Sequence, residues 1–182
     1  HALSASEHSE RLEVSQQETA VLLNSLGNYL HNRMELASAR AVLERALAID
    51  EKAFGPEHTK VAIRVNNLGS VLKAQGDLEG AKKCFERALA IDEKAFGPDH
   101  SNVAIRVNNL GMVLKAQGDL DGARKCYQRA LAIDEKAFGP DHIRVAVIAN
   151  NLGSVLQDHG DLDGARKCFQ RALAIDEKAL GP

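Results

Sequence analysis

Apolar residues recur with helical spacing along nearly the whole chain, and nearly every periodic stretch is closed by glycine or proline. Val61, Val65, Leu68 and Leu72 follow one another at intervals of 4, 3 and 4, which is one stripe of a helix. That stripe stops at Gln75-Gly76, where a glycine can take the left-handed conformation that closes a helix. Asp77 then stands where it can cap a second helix, predicted from about Leu78 to Ala95, with Ala81, Phe85, Ala88 and Leu89 as its inward stripe. The run Phe96-Gly97-Pro98-Asp99-His100 stops this helix and turns the chain. At the start of the first helix Thr59, and Ser101 in the next copy, is the expected cap.

The pattern repeats. Val61–Pro98 comes back at Val103–Pro140 with five changes (Ser70/Met112, Glu79/Asp121, Lys82/Arg124, Phe85/Tyr127 and Glu86/Gln128). A third copy runs from Val145 to Pro182 and a more divergent one ends at Pro56, always at an offset of 42 residues. A fixed period of this size predicts stacked helix pairs, because one pair alone cannot bury its apolar face. The units are expected at about 15–56, 57–98, 99–140 and 141–182, with 1–14 the remnant of a preceding helix or a junction. The chain starts at His1 and stops at Gly181-Pro182, where a further repeat would begin, and so reads as an excerpt of a longer protein. Gly27, Gly69, Gly111 and Gly153 fall mid-helix, where glycine costs about 1 kcal/mol relative to alanine, which predicts a neighbouring helix at close approach. In the first repeat Met34 replaces the inter-helix glycine, Ser38 the next glycine and Val42 a cysteine.

Composition narrows the function. With 45% apolar residues and no Trp, the core must be built mainly from Leu, Ala, Val and Ile. The charge balance, 23 Lys+Arg against 25 Asp+Glu, argues against nucleic acid as a partner. No apolar run approaches the roughly 20 residues needed to span a membrane, and no signal peptide is visible. Cys84, Cys126 and Cys168 occupy one repeat position, so neighbours should lie about 10 Å apart. That exceeds the roughly 7 Å a disulfide allows. Free thiols, read as small apolar helix residues, fit a reducing, cytoplasmic compartment. Almost every Cys, His and Asp is a periodic copy whose twin lies one repeat away, and no phosphate-loop motif occurs. No catalytic residue, metal site or cofactor is therefore predicted. His58, His100 and His142 read as holding the loop against the next helix.

Leu68, Gly69, Ala81, Phe85 and Ala88 match the L-G…A…F…A skeleton of the tetratricopeptide repeat. The 42-residue form, with N-N-L-G, A-L-A-I-D-E-K and G-P-D-H, resembles the kinesin light chain type. It is most similar to the repeats downstream of the nucleotide-binding module in prokaryotic signalling ATPases of the STAND class, and HALSASEHSERL resembles the junction before them. The resemblance implies an all-α, right-handed α-solenoid of antiparallel helix pairs, with the first helices lining a concave groove. It assigns Asn24, Asn66, Asn108 and Asn150 to an asparagine ladder that binds peptide, as the equivalent asparagines do in kinesin light chain. An amide carries donors and an acceptor, so it can satisfy both N–H and C=O of an extended peptide. Ser70, Met112, Ser154, Lys73, Lys115 and Gln157 complete the implied groove, and the differences among them are where specificity would be written. Asn67, Asn109 and Asn151 read as structural members of the N-L-G skeleton. Lys73 and Lys115, with Arg64 and Arg106 nearby, would form either a bias toward acidic ligands or a solvated charged face. The expected function is a non-catalytic protein–protein interaction module with a peptide or protein ligand. The alternatives are a sensor or assembly arm of a larger STAND-type ATPase, or self-association through the repeat ends.

Overall fold

The computed structural model describes residues 2–180, with side chains from 15 to 179. Among them are eight α-helices and no strand: α1 Ala2–Asn32, α2 Leu36–Phe54, α3 Thr59–Ala74, α4 Leu78–Phe96, α5 Ser101–Ala116, α6 Leu120–Phe138, α7 Ile143–Asp158 and α8 Leu162–Leu180. They form two compact units, residues 1–91 and 92–182. In the first, α1 packs on α2, and α3 packs on both. In the second, α5 packs on α6, α7 on both of these, and α8 on α7. Each unit is therefore a stack of helix pairs, the building plan of the expected α-solenoid class. The backbone of the leading segment continues α1 without a break. The side chains of residues 1–14, read as a remnant or junction, lie outside the described residues, as does Gly181-Pro182.

Local chemistry sets the helix ends. His58, His100 and His142 sit in extended backbone before α3, α5 and α7, and each Nδ1 accepts the backbone N–H two residues on at 3.2 Å. The same rings stack on Phe54, Phe96 and Phe138 with centroids 4.7, 4.5 and 4.6 Å apart. The capping expected of Thr59 and Ser101 thus falls to the preceding histidine, since each hydroxyl residue is already the first helical residue. Asp77, Asp119 and Asp161 accept the N–H of Gly80, Gly122 and Gly164 at 2.9 Å, which caps the second helices. The reversal before these caps needs a positive φ: glycine supplies it at +83° to +87°, but Met34 must hold +62° with a side chain.

The core of each unit sits where α3 or α7 meets the following helix and the preceding second helix. Val61, Ala62 and Val65 pack with Ala88 and Ile91, and Leu47 closes the cluster from α2. In the second unit Val145, Ala146 and Ala149 pack with Ala172 and Ile175, closed by Leu131 from α6. The mid-helix glycines make the close approach possible: a Cβ at Gly69 would lie 2.9 Å from the Phe85 ring, and one at Gly111 2.9 Å from that of Tyr127. Such overpacking costs about 1–3 kcal/mol.

Candidate functional site

The first helices, α1 with α3 and α5 with α7, carry the residues singled out in the sequence. Within the first unit the Nδ2 of Asn67 donates to Asn24 Oδ1 at 2.8 Å. Within the second, Asn151 donates to Asn108 Oδ1 at 3.0 Å. The skeleton asparagine of one repeat therefore holds the ladder asparagine of the repeat before it. A ladder amide held in this way has one lone pair of its oxygen engaged, and its Nδ2 donor pair lies on the other arm of the amide. At Asn108 that nitrogen is only loosely used, with Asn109 Oδ1 at 3.5 Å and Met112 Sδ at 3.9 Å. Exposure is uneven: Asn150 is open, Asn24 and Asn108 are half-buried, and Asn66 is only 8% exposed. Ser70 spends its hydroxyl on Asn66 O at 3.2 Å, one turn back.

The charges divide differently from either reading of the sequence. Arg64 and Arg106 are neither ligand-facing nor solvated: both are buried, donating from Nε to Asp50 and Asp92 at 2.8 Å. The carboxylate sits on the second helix of one repeat and the arginine on the first helix of the next, so the pair ties repeats together. The last junction breaks the pattern and restores it by another route. Ile148 stands in the arginine's register, and Arg144, one turn earlier, reaches Asp134 with Nε at 2.9 Å and Nη2 at 3.1 Å. Beside it lies a cleft of about 180 Å³ lined by Ile105, Asn108, Val147 and Ile148 together with Asp134 and Arg144. Lys115 is neutralised across repeats by Asp158 at 3.0 Å and also meets the Ser154 hydroxyl. Lys73 is half-buried, and burial pushes its ammonium below the ordinary lysine range. Gln157 is exposed.

Helix pairs in series, glycines under aromatic rings and one cap chemistry copied along the chain set the frame for comparison with known proteins. The tetratricopeptide repeat pattern matches residues 18–94, 62–106 and 103–178. The chain belongs to the tetratricopeptide repeat family. Family members are typically protein-interaction modules that bind peptide or protein partners, on a scaffold fold that is not catalytic. No curated protein matches the chain in sequence. Among solved structures it is similar to BtubC (BKLC) from P. vanneervenii, at 28% identity and a TM-score of 0.80 over 90% of this chain. The match spans 65% of the BtubC chain. A kinesin light chain protein of Podosopora anserina with nearly identical TPR-like repeats aligns at 20% identity and a TM-score of 0.73, covering 98% of this chain and 88% of that one. MamA aligns at 21% identity and 0.63, covering 94% and 86%. These two share the fold.

Around this tetratricopeptide frame the remaining reactive groups are quiet. Cys84, Cys126 and Cys168 are free thiols, each pushed above the ordinary thiol range by burial. Among the described residues no helix is long and apolar enough to cross a membrane. Asn67 and Asn151, expected as structural, donate across repeats, whereas the Asp–Arg ties have no counterpart in the sequence expectation. A signal for the ties was present: Asp50, Asp92 and Asp134 recur in step with the arginines, and where Ile148 drops the arginine, Arg144 replaces a Lys60/Asn102 position.

Proposed function

We propose that this chain is a non-catalytic interaction module of four 42-residue repeats, at about 15–56, 57–98, 99–140 and 141–182, whose first-helix faces bind a peptide or partner protein. The carrying observation is the pair of cross-repeat amide bonds, Asn67 to Asn24 and Asn151 to Asn108. They fix the ladder amides before any ligand arrives, which reduces the ordering cost of binding. In the second unit the fixed Asn108 amide lines a cleft with the exposed Val147, so a peptide would meet a donor for its carbonyls beside apolar contact. The pairing of Lys115 with Asp158 and the burial of Arg64 and Arg106 favour a ligand that is not strongly acidic. The three free thiols support a reducing, cytoplasmic setting.

The test is a peptide-display selection on the whole chain, followed by affinities for Asn108→Ala and Asn150→Ala. Each lost amide contact should weaken a selected peptide about five- to tenfold. Asn151→Ala deletes the same 3.0 Å bond from the other side but keeps the Asn108 amide, so it should weaken binding less than Asn108→Ala, by the ordering contribution alone. Unchanged affinity in the Asn108→Ala, Asn150→Ala double variant would remove these residues from the binding face.

A further inference from the structure

An exchange of two side chains sets the junction of α5, α6 and α7 apart from its counterpart in the first unit. There Arg64 crosses from α3 to Asp50 at 2.8 Å, and its stem is buried along the way. Lys60, one turn earlier, lies over the Phe54 ring at 4.1 Å. In the second unit Arg144 stands in the lysine register and reaches Asp134 itself, with Nε at 2.9 Å and Nη2 at 3.1 Å. The same Nη2 donates to Ser101 O at 2.9 Å. The arginine register is left to Ile148, which carries no long stem. The space so released is a cleft of about 180 Å³, with Ile148 buried at its floor and Val147 exposed at its rim. Ile105 and Asn108 line it from α5.

Resting on the function proposed above, we infer that this cleft is a subsite of the peptide-binding face that selects one large aliphatic side chain, leucine or methionine. Size, lining and charge each point to that guest. An apolar cavity of about 150 Å³ holds a benzene-sized molecule. The cleft of about 180 Å³ therefore accepts a whole leucine side chain and is underfilled by alanine. Its apolar wall is built of branched aliphatic carbons, from Ile105, Val147 and Ile148. The charges of Asp134 and Arg144 cancel each other, so neither an acidic nor a basic side chain finds a counter-charge there. Arg144 already lies over the Phe138 ring at 5.0 Å, which lessens its pull on an aromatic guest. Beside this wall the Nδ2 of Asn108, loosely held at 3.5 and 3.9 Å, is a donor for the carbonyl of the same peptide residue. An aliphatic side chain with a backbone carbonyl next to it is what an extended peptide supplies.

The probes are the N-acetyl methylamides of leucine, alanine, glutamate and phenylalanine, each titrated into the whole chain while NMR follows the methyl groups of Ile105 and Val147. The leucine compound should shift both saturably. The alanine and glutamate compounds should bind about tenfold more weakly or worse, since one loses buried methyl groups and the other must desolvate a charge. The matching variant is Arg144→Asn with Ile148→Arg, which copies Asn102 and Arg106 of the preceding repeat and lays an arginine stem back across the cleft. It should keep its helices by circular dichroism and lose about tenfold or more in affinity for the leucine compound. Absence of saturable shifts, equal binding of leucine and alanine compounds, or undiminished binding in this folded variant overturns the proposal. Tighter binding of the phenylalanine compound overturns the aliphatic assignment. Display-selected peptides that weaken with Asn108→Ala but not with Arg144→Asn, Ile148→Arg would uphold the proposed function and overturn the subsite. A leucine preference that survives while those peptides ignore the Asn108→Ala, Asn150→Ala pair would keep the subsite and remove the ladder.

Discussion

Replacing Arg106 by isoleucine should be among the most damaging single changes in this protein, and a second substitution should repair it. Asp92 is 1% exposed, its Oδ2 accepts from Arg106 Nε at 2.8 Å, and its Oδ1 has no hydrogen-bond partner. In Arg106→Ile the carboxylate keeps its burial and loses its counter-charge, a situation that costs about 3–5 kcal/mol. For a chain of this length, 1 kcal/mol moves the melting midpoint by about 2–4 °C, so the expected fall is about 6–20 °C. The repair is taken from the last junction, where an isoleucine already occupies the arginine register and Arg144 binds both oxygens of Asp134 at 2.9 and 3.1 Å. Adding Asn102→Arg to Arg106→Ile rebuilds that arrangement and should recover more than half of the loss. Removing both charges, as Asp92→Leu with Arg106→Leu, should be far milder than the single change, because no buried charge is left alone. Urea and thermal unfolding followed at 222 nm give all three values. A loss under about 1 kcal/mol in Arg106→Ile, or no recovery with Asn102→Arg, would refute the view that the buried pair governs this junction.

Met34→Gly should stabilise the chain by about 1 kcal/mol, because Met34 holds a φ of +62° where the other copies use glycine; the urea midpoint measures it. His100→Ala should destabilise by about 1 kcal/mol or slightly more, since it removes both the acceptor for Asn102 N–H and the ring stacked on Phe96. Stability should also fall in mild alkali. Burial raises the folded-state pKa of Cys84, Cys126, Cys168 and Tyr127, so the folded chain keeps protons that the unfolded chain releases. The contribution is complete below the unfolded thiol value of about 8.5 and is lost as pH rises through and beyond it, with Tyr127 adding its share above about 10. Urea midpoints from pH 7 to 10.5 test the sign, and a profile that stays flat up to about pH 10 in a variant with all three cysteines changed to serine would assign the first phase to the thiols.

Much of this protein is local and therefore legible without coordinates. The 4, 3, 4 spacing of Val61, Val65, Leu68 and Leu72, the breaks at Gly76 and Pro98, and the Asp77 cap all depend on neighbours within a turn or two, and each recurs in the structure. Period and skeleton together determined the family. The start of α3 was read one residue late, because a histidine is an uncommon cap and its role depends on the stack with Phe54 as much as on sequence. What crosses from one repeat to the next was decided only in three dimensions. The sequence marks Arg64 as one more surface charge, yet it is buried, because the preceding second helix places Asp50 opposite it. Likewise the ladder asparagines look like four equal amides, but packing of the next first helix engages the oxygens of Asn24 and Asn108. Residue type and period determine which side chains recur, whereas exposure and bonding partner are properties of the neighbouring repeat.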